Sequence, residues 1–161
     1  MDRYYYNVAQ LPMVFFGQEP SMLPEEFLGE AEKWLTPGDY GILSGTDMDD
    51  AALDRPGPAV LQQYREYEYT LRRELAAWRA DRDFRPLSFA LPLVTEGTPL
   101  DRETDLLRLR WDFVEELESG HHFDLEALIL FFLKLQILRR LFTFEREKGL
   151  AVFQNLCEVA Q

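Results

Sequence analysis

The longest regular signal along the chain lies at residues 59–83, "AVLQQYREYEYTLRRELAAWRADRD", which contains no proline or glycine. Its apolar residues Val60, Tyr64, Tyr67, Leu71, Leu75 and Trp78 recur three and four apart, which predicts one long amphipathic helix. Within it Glu68 precedes Arg72 by four residues, the orientation that favours an ion pair on a helix surface. Upstream, Pro24-Glu25-Glu26 suits a helix start, since proline fits the first turn and acids favour its positive end. Phe27, Leu28, Ala31, Trp34 and Leu35 then fall on one side of that helix. Thr36 is placed to cap a shorter helix that Pro37 opens and Gly45 stops.

Further on, Asp101 is read as the cap of a helix with Leu106, Leu109, Phe113 and Leu117 in one stripe and Leu107, Trp111 and Val114 beside it. Gly120 ends it. Asp124 caps a last helix through Phe142. The stretch after Thr143 either continues that helix or forms a separate one, because Gly149 costs about 1 kcal/mol in a helix interior. Two stretches carry no helical pattern. Residues 46–58 form an acidic loop with two prolines, expected to be a mobile connector, and residues 84–99 hold three prolines and read as an extended segment over the helices. No strand pattern is convincing, except for a short extended segment allowed at the aromatic start, "YYYNVAQLP". The expectation is a single all-α domain over residues 1–161, a helical bundle of five to six helices with a long central helix pair.

The start of the chain is unusual in its own right, with Tyr4, Tyr5 and Tyr6 followed by Phe15 and Phe16. Termini are ordinarily polar and frayed, so these rings predict an anchor packed on the long helices. Leu11-Pro12 would turn the chain out of any helix. The run is too short and too broken by Asn7 and Gln10 for a signal peptide or a membrane span. The most apolar stretch, "ALILFFL" at 127–133, is followed at once by Lys134, Gln136, Arg139 and Arg140, which makes it a buried core helix.

Charge narrows the partners. The net charge is −12, and residues 1–56 account for −8 of it with eleven acids against three bases. Phosphate backbones and anionic lipid head groups both repel such a chain, so nucleic acid and direct membrane insertion are excluded as expectations. Protein partners suit it better. A single cysteine, Cys157, rules out an internal disulfide, fits a reducing cytoplasm and reads as a small buried residue.

Catalytic and metal chemistry find little support. Glu118 stands three before His121, but the two-metal bundles that use Glu-x-x-His need a second copy and two more glutamates. His121 and His122 are the only histidines, so a metalloenzyme would have to complete its ligands with carboxylates or Cys157. No nucleophile elbow and no phosphate-cradling glycine loop occurs. No catalytic residue, cofactor or metal is therefore expected. The bases are fourteen arginines against three lysines, and Arg65, Arg72, Arg73, Arg79 and Arg82 crowd the long helix, with Arg85 just past it. Arginine forks onto carboxylates at interfaces, so these five are the candidate partner-binding residues. Pairing with the chain's own acids is the ordinary alternative.

Four segments carry a resemblance: "YYYNVAQLPMVFFG", "LPEEFLGEAEKWLTPGDYGIL", "YREYEYTLRRELAAWRADR" and "FDLEALILFFLKLQILRRLFTFEREKGLAVFQNL". In this order they resemble a small uncharacterised bacterial family encoded beside V/A-type ATPase genes, itself similar to a reduced C (eukaryotic d) subunit of that ATPase. The resemblance implies a non-catalytic helical subunit, accessory to the ATPase or seated in its central stalk between the soluble and membrane parts. Its partners would then be stalk or ring subunits, and its place the cytoplasm, peripheral to the inner membrane. C/d subunits are longer chains of repeated helical units, of which this chain has room for one. Beside this stand a cytoplasmic helical adaptor or regulator unrelated to the ATPase, and a metalloenzyme using His121 and His122.

Overall fold

The computed structural model describes residues 2–81 and 97–160. Among them there are six helices and no strand: α1 (Asp2–Ala9), α2 (Pro24–Glu32), α3 (Pro37–Ser44), α4 (Ala59–Ala80), α5 (Pro99–Glu118) and α6 (Leu125–Val159). The protein is an all-α bundle. The extended segment expected at 84–99 lies outside the described residues except for its last three.

Helix α6 is the hub. It touches α1, α2, α3, α4 and α5, and its contact with α5 is the most extensive among the described helices. Being wrapped on all sides explains why Leu128, Ile129, Leu130, Leu133, Leu135, Ile137 and Leu138 are all fully buried without a polar face between them. The short link from Glu118 to Leu125 makes α5 and α6 antiparallel, the expected central pair. Helix α4 lies across both, with Val60, Tyr64, Leu71 and Leu75 turned inward as the spacing required.

Capping chemistry fixes the helix starts. Thr36 Oγ1 accepts from the Asp39 amide, and Asp124 Oδ1 accepts from the Ala127 amide, as the sequence indicated. The start of α5 differs. Thr98, not Asp101, is the cap, Pro99 takes the first helical position, and Asp101 in turn accepts from the Thr98 amide in a reciprocal capping box. After Thr143 the chain continues α6 without a break, through Gly149 to Val159.

The start of the chain is helical rather than extended. Tyr4, Val8 and Leu11 lie three and four apart and pack on the core, Asn7 is buried between them, and the Tyr4 hydroxyl donates to Asp39. Tyr5 and Tyr6 point outward. Tyr5 lies 5.0 Å from the Phe123 ring, and Tyr6 stacks on Trp34 at 6.0 Å. Trp34, read as inward-facing, is thus half-exposed against Tyr6.

Candidate functional site

The densest polar chemistry joins the 46–58 connector to α4, α5 and α6. Glu68 of α4 is wholly buried and receives both Nε and a terminal nitrogen of Arg110 from α5, each at 2.8 Å. Arg72 adds a third bond to the same carboxylate at 2.9 Å and donates to the Asp49 carbonyl at 2.8 Å. Burial works against the charge of Arg110, but the bonds and charge of Glu68 outweigh it and hold its pKa above the ordinary value. The pair at 68–72, expected on the surface, is therefore part of a buried network. The (i, i+4) spacing was visible in the sequence, whereas Arg110, 42 residues away, was not.

The connector is pinned by the same network. Arg140 of α6 forks onto Asp49, with one bond of 2.7 Å, and Arg65 of α4 donates to Asp50 at 2.9 Å. Gln136 of α6 accepts from the Met48 amide and donates to the Thr46 carbonyl, both at 2.9 Å, while the Tyr64 hydroxyl donates to the Met48 carbonyl at 2.7 Å. Met48 itself is buried in the core. A connector expected to be mobile is thus tied to two helices from Thr46 to Asp50, by side chains that only the fold brings near it. The hydrogen bonds from Arg140 hold the Asp49 carboxyl below its usual range. Burial pushes Asp50 the other way, but the Ala52 amide and Arg65 outweigh it and that group too lies low.

The arginines expected to bind a partner divide. Arg65 is buried and committed to Asp50 and the Arg55 carbonyl. Arg72 is half-exposed but committed to Glu68 and Asp49. Arg73 is exposed, 6.0 Å from the centre of the Tyr69 ring, and Arg79 is exposed near the end of α4. Arg82 and Arg85 lie outside the described residues. Internal pairing therefore accounts for two of the five and leaves Arg73 and Arg79 facing solvent.

An open cleft of about 600 Å³ lies beside the connector, floored by Leu28, Met48, Phe132 and Phe144. Arg139 and Arg140 stand at its rim, each already paired, with Glu25 and Asp49 respectively. Asp47 also lines the cleft and accepts from the Asp49 amide, but the pairing of both arginines leaves no base poised to work with it as an acid–base pair.

His121 forms a cluster with Asp124 and Glu126, whose ligand atoms lie within 4.8 Å of one another. The arrangement argues against a cation. Asp124 uses one oxygen to cap Ala127 and the other to meet His121 Nδ1 at 2.8 Å, and the site sits at the positive end of α6. Glu118 is taken by Lys134 at 2.7 Å, and His122 is exposed outside the cluster. Cys157, expected to be buried, is exposed on the far part of α6, remote in sequence from the histidines. The ligand set proposed from sequence is thus not assembled among the described residues.

A family model described as "Protein of unknown function (DUF2764)" matches residues 83–160, just under half the chain, spanning α5 and α6. The second half of the chain is similar to that family. No curated protein and no solved structure matches the chain.

Proposed function

We propose that this chain is a non-catalytic accessory or central-stalk component of a bacterial V/A-type ATPase, resembling its C/d subunit, that helps couple or assemble the soluble and membrane parts. The observation that carries the reading is the ordered series of four segments from the aromatic start to α6, which resembles the family encoded with that ATPase. An all-helical bundle is what the resemblance implies, and the polar groups of this bundle are spent on holding its own connector and helices together. The docking chemistry left at the surface is Arg73 and Arg79 on α4, together with exposed acids of the first 56 residues such as Glu19, Glu32 and Asp54.

No helix among the described residues is long and apolar enough to cross a membrane, so attachment to a membrane machine would go through other subunits. The test is co-purification. Antibody against this chain should find it in an intact ATPase solubilised in mild detergent from native membranes, in constant ratio to the catalytic subunits. Its absence from that complex would overturn the reading.

A further inference from the structure

Four aromatic rings from three separate parts of the fold meet in one row on the surface. Tyr6 of α1 stacks on Trp34, just past α2, at 6.0 Å, and meets Tyr5 edge-on at 6.1 Å. Tyr5 in turn lies 5.0 Å from Phe123, in the turn between α5 and α6. Each ring remains between 45% and 53% exposed. The core needs none of them, because Tyr4, Val8 and Leu11 already supply the inward face at the start of the chain. A contiguous row of half-exposed rings marks a surface that binds something, and tyrosine and tryptophan carry a large share of interface energy.

Charge and spacing say what. Glu30 and Glu32 precede Trp34, and Asp124 and Glu126 follow Phe123. The bases beside them are spent, Lys33 on Glu30 at 2.7 Å and His121 on Asp124 at 2.8 Å. Among the described residues no lysine or arginine pairs with Glu32 or Glu126, so each end of the row keeps a carboxylate unmatched by a base. Ring faces are negative as well and attract cations, arginine most often. We propose that the row seats an extended, arginine-bearing segment of a partner protein. Alternate side chains of an extended chain stand about 7 Å apart on one side, close to the 5.0–6.1 Å between successive rings, so neighbouring arginines can each lie over a ring. Nucleic acid bases would also stack there, but their phosphates are repelled by the same acids. The proposal is independent of the ATPase reading, since it rests on this row alone.

Calorimetric titration of the intact chain with a short peptide of alternating arginine and glycine is the test, beside peptides in which glutamate or proline replaces the arginines. Only the arginine peptide should bind, and more weakly as salt rises. Tyr5→Ser with Tyr6→Ser should weaken that binding about fivefold or more, since two ring faces are lost. Tyr5→Phe with Tyr6→Phe should bind as before, because the faces remain. Both pairs keep Tyr4, Val8 and Leu11, so the anchor is retained. Glu66→Gln, on the exposed side of α4, removes one acid and no ring and should bind as the unsubstituted protein does. No binding of the arginine peptide, equal binding of the glutamate or proline peptide, or a serine pair that loses no more affinity than Glu66→Gln would each overturn the proposal.

Discussion

Glu68 and Arg110 show what a single residue pair contributes in this bundle. Their two bonds of 2.8 Å lie between the main core, which holds Tyr64 and Trp111, and a smaller cluster of Leu71, Leu75 and Leu106. Removing one partner of a buried pair strands the other charge at a cost of about 3–5 kcal/mol, and at this chain length each kcal/mol moves the melting temperature by roughly 2–4 °C. Glu68→Ala should therefore lower the midpoint by at least about 6 °C in calorimetry. Replacing both residues with leucine should recover most of that loss, because the desolvation of the pair offsets much of its attraction. A double variant as unstable as Glu68→Ala would mean that the pair stabilises the fold in its own right. The sequence displayed Glu68 with Arg72 but hid its stronger partner, because periodicity reports neighbours within a helix and is silent about which helix lies opposite.

At the scale of elements, the pattern was legible wherever a helix has one buried face. α4 follows its three-and-four spacing closely, α2 starts at Pro24 as its residues implied, and α3 and α6 begin at the caps Thr36 and Asp124. It was less legible where side chains from elsewhere decide. The 46–58 connector reads as loose until Gln136, Arg140, Arg65 and Tyr64 are brought to it. Three consecutive tyrosines obscured a short helix, because one tyrosine faces the core while the next two meet Phe123 and Trp34 at the surface. That helix is an anchor. Tyr4, Val8 and Leu11 are partly buried against the core, and burying such side chains contributes about 1.5–3 kcal/mol each when complete, against the entropy of ordering the segment. Deleting residues 1–12 should thus cost about 2 kcal/mol, lowering the melting temperature by several degrees in a circular-dichroism melt. An unchanged melt would show that α1 rests on the bundle without stabilising it.

Over the whole molecule, the same carboxylates that give a net charge of −12 also hold the connector, so acid acts on stability in two opposed ways. Protonating ordinary surface acids between pH 7 and about 5 relieves self-repulsion, which favours the compact state. Asp49 and Asp50 behave differently, because Arg140 holds Asp49, and the Ala52 amide with Arg65 holds Asp50 against its burial, below the unfolded value of about 3.9. A depressed folded value means stability that is fully present above the unfolded value and lost as pH falls through the folded one. Urea midpoints should therefore hold or rise from pH 7 to 5, then fall steeply below about pH 4. Asp49→Asn should lower the midpoint at pH 7 and flatten the fall below pH 4, since its titrating group is gone. Glu147→Gln, on the exposed tail, should leave that fall as it is. An acid limb for Asp49→Asn that superimposes on the unsubstituted protein's would mean that the Arg140 pair contributes nothing to folding and that the connector is held by its other bonds, from Gln136, Tyr64, Arg65 and Arg72.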